Sequence, residues 1–246
     1  MPCLPHAPLA LLLAALIAGG SGAAPAAPRV AVDVGHTLAA SGARSARGRS
    51  EFEFNLALAR TLADNLARRG MGVTLINADG GIQSLAARPV QAEGADLLVS
   101  IHHDSVGQDE LLPWQWQGRD LDYNDRWQGH SLFVSGRNPW PRESLLCASA
   151  MGARLQREGF TPTDKNARHR PWADQADTVH WYDNLVVLRL ARQPAVLVEA
   201  GVIKHRQEEL LLADPARQAR MADALATGIA ACLQVLDWER RSEPRG

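Results

Sequence analysis

Two histidines and one glutamate come at the ends of short apolar segments of the chain. They are His36, His102 and Glu199. Short apolar runs are typical of strands buried in a parallel sheet, and in α/β sheets binding sites form beyond the carboxyl ends of the strands. We therefore expect these three side chains to converge, although they are far apart in sequence. Glu51 joins them if the first helix begins at the same edge.

Two histidines and one carboxylate with an open fourth position form the ligand set of catalytic zinc hydrolases, in which zinc is a Lewis acid. His36, Glu51 and His102 supply that set, for one zinc ion per chain. A carboxylate that does not bind the metal can accept a proton from water and pass it to a leaving amine. Glu199 suits this role, because a carboxylate directly after an apolar strand needs a partner or a function. The spacing alone also allows a plainer interpretation, in which each histidine is a hydrogen-bonded surface residue.

The choice between Glu51 and Glu53 follows from the start of the first helix. Ser50 and Glu53 form the pattern of a capping box, in which the Glu53 side chain returns to the backbone of Ser50. Glu51 is then free to point toward the edge of the sheet. His103 follows His102, and in an extended segment its side chain points to the opposite face. We expect His103 to contact the residues behind the ligands or the substrate.

The elements that must position these residues alternate between strand and helix. This order predicts a single α/β domain, with a mostly parallel, twisted sheet of about six strands flanked by helices. Strands are predicted at residues 29–34, 73–76, 96–101, 131–134, 185–188 and 195–198. Helices are predicted from residue 51, at 82–93, at 143–158 and from residue 215.

Residues 106–129 form a connection too long for an ordinary loop, and such segments are usually functional or disordered. It contains Trp114, Trp116 and Trp127. Two interpretations stay open. The segment is a lid or a wall that contacts sugars through aromatic faces, or it is a surface excursion packed on its own tryptophans.

The ends of the chain differ in composition from the predicted catalytic domain at residues 29–238. Residues 1–28 have the apolar run and small-residue region of a cleaved secretory signal, which predicts export to the periplasm. Residues 239–246 form a polar tail that we expect to fray. We expect no transmembrane segment in the mature chain. The net charge of -1 argues against a nucleic-acid partner.

Two cysteines remain after the predicted signal, Cys147 and Cys232. Both lie among apolar residues in predicted helices. We expect buried thiols, although a single bridge is compatible with the sequence.

Four segments follow one another in a fixed order: AVDVGH (residues 31–36), SEFEFNLALA (50–59), ADLLVSIHHDS (95–105) and PAVLVEAGVI (194–203). In order and spacing they resemble the zinc-dependent N-acetylmuramoyl-L-alanine amidases of the amidase-3 type. The resemblance covers about the whole mature chain. Four motifs in register are far more specific than any one of them.

The resemblance implies zinc ligands at His36, Glu51 and His102 and a catalytic glutamate at Glu199. The implied reaction is hydrolysis of the amide bond between the lactyl group of N-acetylmuramic acid and L-alanine of the stem peptide. The implied partner is therefore peptidoglycan, in cell-wall remodelling or daughter-cell separation. The sequence does not reveal whether a protein activator is needed.

The chain departs from the family pattern at several loop positions. Thr37-Leu38 replaces the usual glycine pair, His103-Asp104 replaces the usual Ala-Asn, and Val202 replaces an aromatic residue. None of these changes removes a ligand or the catalytic carboxylate, so we expect an active enzyme with altered substrate contacts. Some relatives carry a self-inhibitory helix after the strand that corresponds to residues 131–134, and here the chain leaves little room for one.

Two other functions stay open from the sequence. A zinc peptidase that cuts within the stem peptide would use the same ligands. A catalytically inactive wall-binding or regulatory protein would keep the fold, and the substituted loop residues are its only support.

Overall fold

The computed structural model describes residues 26–242, so most of the predicted signal and the last four residues lie outside it. The strands are β1 (Arg29–Val34), β2 (Gly72–Ile76), β3 (Leu97–Asp104), β4 (Leu112–Trp116), β5 (Arg119–Tyr123), β6 (Ser131–Val134), β7 (Trp172–Asp174), β8 (Val179–Trp181) and β9 (Ala195–Val202). The helices are α1 (Glu51–Arg68), α2 (Ala87–Gln91), α3 (Pro141–Arg157), α4 (Val186–Leu190), α5 (Glu208–Ala213) and α6 (Pro215–Ser242).

Seven of the strands form one sheet in the order β2-β1-β3-β9-β6-β8-β7. The first four strands in this order are mutually parallel, whereas β6 is antiparallel to β9 and β7 is antiparallel to β8. The predicted α/β class with a mostly parallel sheet is confirmed, with seven strands in place of about six. The carboxyl ends of β1, β3 and β9 therefore meet at one edge.

The two faces of the sheet are covered unequally. Three long helices, α1, α3 and α6, pack their apolar residues against one face and form the larger core. The other face carries α2 and α4, which have five residues each. Helix α6 is long and apolar enough to cross a membrane by composition, but its apolar side is buried between α1 and α3, as expected for a core helix.

Three predictions about elements were wrong in detail. Residues 185–188 were expected to form a strand, but they lead into helix α4, because a four-residue apolar run fits a buried helix as well as a strand. The helix predicted at 82–93 forms only at Ala87–Gln91. Residues 239–242 were expected to belong to a frayed tail, but α6 continues to Ser242 and Arg142 Nη1 donates to Glu239 Oε2 at 3.0 Å, while residues 243–246 lie outside the described residues.

Cys147 and Cys232 form a disulfide that joins α3 to α6, with 5.0 Å between their Cα atoms. The expectation of two buried free thiols was therefore wrong. Neither helix shows in its own sequence that the two cysteines face each other, because that depends on how the helices pack.

Candidate metal centre and catalytic carboxyl

His36 lies just beyond β1 in a left-handed backbone conformation, with φ at 66°. L-residues adopt this conformation only when neighbouring contacts hold it. Two buried side chains supply such contacts here. Asn77 Nδ2 donates to the His36 carbonyl at 2.6 Å, and Arg88 Nη2 donates to the same oxygen. The backbone turn therefore aims the imidazole at the edge of the sheet.

Glu51 begins α1 and lies between the two histidines. Its Oε2 atom is 2.9 Å from Nε2 of His36, and its Oε1 atom is 3.1 Å from Nδ1 of His102. Glu53 is occupied elsewhere, as predicted, because its carboxylate accepts a hydrogen bond from Ser50 N at 3.0 Å. The capping box thus leaves Glu51 as the carboxylate at the edge of the sheet.

The three side chains fit a metal ion by geometry and by donor type. One ligand atom from each of His36, Glu51 and His102 lies within 4.8 Å of the others. Burial raises the pKa of Glu51, but hydrogen bonds with His102 and His36 outweigh it and hold that pKa well below its usual range. An ionised carboxylate with two imidazole nitrogens is a donor set that zinc prefers.

Two glycines lie against these ligands. A Cβ atom at Gly35 would come within 2.5 Å of Cε1 of His102. A Cβ atom at Gly42, where φ is 76°, would come within 2.5 Å of Oε2 of Glu51. Both positions therefore need glycine for the ligands to reach one another.

His103 points to the opposite face from His102, as predicted. Its Nδ1 atom is 2.8 Å from Oδ1 of Asn55, whose Nδ2 donates to the Gly35 carbonyl at 3.2 Å and lies 3.4 Å from Oε1 of Glu51. Burial lowers the pKa of His103 to about 3, so the ring is neutral. His103 thus supports the candidate metal centre from behind through Asn55.

Glu199 lies beside His102, because these residues are register partners on β3 and β9. Its Oε2 atom is shielded from solvent and has no hydrogen-bond partner in the described structure. Burial raises the pKa of Glu199 well above its usual range, with the negative charges of Asp104 and Glu51 adding to the effect and Lys165 opposing it. A carboxyl that holds a proton readily is suited to general acid–base chemistry.

A polar cluster next to Glu199 was not predicted from the sequence. Lys165 Nζ binds Oδ1 of Asp104 at 3.0 Å, and Asn166 Nδ2 binds the other oxygen of Asp104 at 2.8 Å. The same amide contacts Oγ of Ser131 at 3.0 Å, and Ser131 is the register partner of Glu199 on β6. Lys165 and Asn166 begin a one-turn 3-10 helix without a recognisable motif, so no sequence signal marks them.

The tryptophan-rich segment forms a hairpin of β4 and β5 that packs on the loop before α1. Trp114 Nε1 donates to the Ala46 carbonyl at 2.8 Å, and Trp114 stacks on Trp116. The Arg47 guanidinium covers Trp116 at 4.7 Å. These contacts favour the interpretation of a surface excursion packed on its own tryptophans.

A mostly parallel α/β sheet that gathers two histidines and a glutamate at its carboxyl edge, beside a protonatable glutamate, defines the class of α/β hydrolytic enzymes with a candidate metal centre. A family model described as N-acetylmuramoyl-L-alanine amidase matches residues 30–231. The chain belongs to this amidase family, whose members hydrolyse the amide bond between N-acetylmuramic acid and L-alanine in peptidoglycan. No protein with curated annotation matches it.

Solved amidase structures share the fold. The N-acetylmuramoyl-L-alanine amidase from Clostridium difficile 630 is 22% identical with a TM-score of 0.67, and the alignment covers 85% of this chain and 97% of that one. The catalytic domain of CwlV from Bacillus (Paenibacillus) polymyxa var. colistinus is 27% identical with a TM-score of 0.65, covering 85% and 99%. The CwlD amidase from Clostridioides difficile, solved in complex with the GerS lipoprotein, is 20% identical with a TM-score of 0.64, covering 85% and 99%.

Proposed function

We propose that this amidase is zinc-dependent, that His36, Glu51 and His102 hold one zinc ion, and that Glu199 is its general base and acid. The observation that carries the proposal is the convergence of three metal-binding side chains on one point, with a buried carboxyl on the neighbouring strand. The amidase family is generally zinc-dependent, which supports the choice of metal. When bound, zinc supplies Lewis acidity to the amide carbonyl and to water.

The protein's own residues move the proton. Glu199 accepts a proton from the attacking water and delivers it to the nitrogen of L-alanine as the amide bond breaks. Its raised pKa favours the protonated form that the second transfer needs. Lys165 neutralises Asp104, which limits the negative charge that surrounds the Glu199 carboxyl.

Substitution Glu199→Gln tests the role of the base. The amide keeps the shape of the side chain but cannot take a proton, so release of stem peptides from purified sacculi falls by about 100-fold or more. Zinc content by elemental analysis stays at one per chain. A matched Glu93→Gln variant, changed at a distant ion pair with Arg192, keeps its activity. Full activity in zinc-loaded Glu199→Gln would show that another group is the base.

Removal of the metal tests the ligand set. Chelator abolishes digestion, and Glu51→Gln loses zinc whereas Glu53→Gln keeps it, because only Glu51 lies between the histidines. Mass spectrometry of the digest identifies the bond that is cut. Intact free stem peptides support the amidase reaction, and fragments cut within the stem support a peptidase instead.

The proposed place of action is the periplasm, reached through cleavage of the predicted signal at residues 1–28. The substrate contacts are the glycan strand and the stem peptide of peptidoglycan. One structural neighbour was solved in complex with a lipoprotein, which leaves room for a protein activator of this chain.

A further inference from the structure

Glu209 is a buried carboxylate of α5 that lies outside the candidate metal centre, with only 4% of the residue exposed. Its Oε1 atom accepts a hydrogen bond from Ser45 Oγ at 2.7 Å. Its Oε2 atom accepts hydrogen bonds from Arg47 N at 3.0 Å and from Arg47 Nη1 at 3.1 Å. These donors all belong to one segment before α1, the arginine loop, which comprises residues 43–50. Because a buried charge is costly without its partners, the carboxylate and the arginine loop hold each other in place.

The arginine loop is closed by the same serine that Glu209 binds. Ser45 Oγ accepts a hydrogen bond from Arg49 N at 2.9 Å, and Ser45 N donates to the Arg49 carbonyl at 2.8 Å. Beyond this turn, Arg44 and Ser50 pair as an antiparallel bridge. The two ends of the loop therefore run side by side, and a displacement of Ser45 is transmitted to both of them.

One end of the arginine loop is Ala43, which contacts the candidate ligand Glu51 at two points. Ala43 N donates to Glu51 Oε2 at 3.2 Å, and Glu51 N donates to the Ala43 carbonyl at 2.9 Å. Oε2 is the atom that lies 2.9 Å from Nε2 of His36. The backbone of Ala43 therefore helps to orient the Glu51 carboxylate toward His36.

We propose that Glu209 is a positioning residue for the candidate metal ligand Glu51, and that it acts through the arginine loop. This inference rests on the proposed function, in which Glu51 binds zinc. Glu209 fixes Ser45 and Arg47, the closed turn fixes Ala43, and Ala43 fixes one oxygen of the ligand. Helix α5 follows β9 in the chain, so this contact also ties the ligand's loop to the strand that carries the proposed base.

Substitution Glu209→Gln tests this role, with Glu208→Gln as the matched control. Both residues lie on α5 and are 4% exposed, but Glu208 accepts hydrogen bonds from Gly129 N and Val202 N, outside the arginine loop. Glu209→Gln removes the charge that binds Arg47. We expect its zinc affinity to fall by about tenfold in a competition titration, because disturbed support of a metal ligand costs about 10–100-fold. Glu208→Gln keeps the zinc affinity of the wild type, even where a urea titration shows that it is less stable.

Trypsin reports on the arginine loop directly, because it cleaves after the arginines within it. In the zinc-free proteins, mass spectrometry of the first fragments shows faster cleavage in this loop for Glu209→Gln than for the wild type or Glu208→Gln. Faster cleavage with unchanged zinc affinity overturns the proposal, since the loop then moves without moving Glu51. Lower zinc affinity without faster cleavage overturns it as well, because Glu209 then acts by another route.

Ser45→Ala keeps the proposal testable if Glu209→Gln does not fold. It removes the hydroxyl that joins Glu209 to the arginine loop and leaves α5 unchanged. We expect the same two effects, and wild-type values of zinc affinity and cleavage in Ser45→Ala overturn the proposal. A wild type that binds no zinc fails the proposed function itself. A wild type that binds zinc no more tightly than Glu209→Gln fails the positioning role alone.

Discussion

Gly35 and Gly42 lie against the candidate ligands, and neither position has room for a side chain. Their contribution is therefore steric. A Cβ atom at Gly35 would come within 2.5 Å of Cε1 of His102, whose Nδ1 atom faces Glu51. The positions of the candidate ligand side chains therefore depend on these two glycines as well as on the ligand residues themselves.

Gly35→Ala is expected to displace His102. The added methyl group must push the ring away or shift β1, and disturbed support of a ligand typically costs 10–100-fold in metal affinity. We expect at least a roughly tenfold loss of zinc affinity in a competition titration with a chromophoric chelator. Gly81→Ala is the control, because its Cβ has no neighbour nearer than 3.4 Å. Equal zinc affinity in the two variants would contradict the steric role of Gly35.

The convergence of the four candidate site residues was predictable from the sequence, because each lies at the carboxyl end of a strand or at the start of a helix, at one edge of the sheet. His36, Glu51, His102 and Glu199 all reach that edge in the structure. Lys165 was not predictable, because it reaches Asp104 from a one-turn 3-10 helix whose position depends on the packing of distant elements.

At the scale of elements, α1 links helix capping to the candidate metal centre. Ser50 and Glu53 fix the first turn, and that turn carries Glu51 between the histidines. A helix start that frays would move the carboxylate away from its partners. Local sequence therefore sets the geometry of a site that is built from distant segments.

Ser50→Ala removes one half of the capping box. Loss of an N-cap side chain lowers the free energy of unfolding by about 1 kcal/mol, so we expect a lower midpoint in a urea titration. Because Glu51 is in the first turn, zinc affinity falls as well. Ser84→Ala, an exposed serine outside α1, is expected to change neither quantity. A stability loss without any change in zinc affinity would show that α1 holds Glu51 independently of its cap.

Short elements were the least predictable part of the fold. Strands β7 and β8 have three residues each, and α4 has five, so their own sequences contain too few periods to separate helix from strand. The long elements were predicted correctly, because their patterns repeat several times. Strands β3 and β9 are continuous apolar runs, as expected for strands buried on both faces. Helix α1 has one apolar stripe that continues over several turns.

At the scale of the whole molecule, buried histidines make stability depend on pH. His130 and His180 are almost fully inaccessible, and their ring nitrogens have no partner in the described structure. Burial lowers the pKa of each to about 4. Both rings are therefore neutral in the folded protein at neutral pH.

The free energy of unfolding is expected to fall as the pH falls from about 6.5 to 4, because the unfolded chain binds protons there and the folded chain does not. Above that window both states are neutral, and below it both are charged. Each histidine contributes about 3 kcal/mol to the loss. Urea titrations across this pH range measure the free energy of unfolding of the wild type and of two variants. In His130→Leu we expect this free energy to depend less steeply on pH. His169→Leu, changed at an exposed site, is the control and keeps the dependence of the wild type. An identical slope in all three proteins would contradict this account.

The disulfide between Cys147 and Cys232 spans 85 residues of sequence. Closing a loop of this size stabilises a fold by roughly 4–5 kcal/mol. Such bonds persist in oxidising surroundings and are rare in the reducing cytosol, where chains are synthesised. The same sequence therefore has two forms of different stability, one with the disulfide and one without it. The chain with free thiols is the less stable form, which unfolds and is cleaved by proteases more readily, and oxidation of the two cysteines converts it into the more stable form.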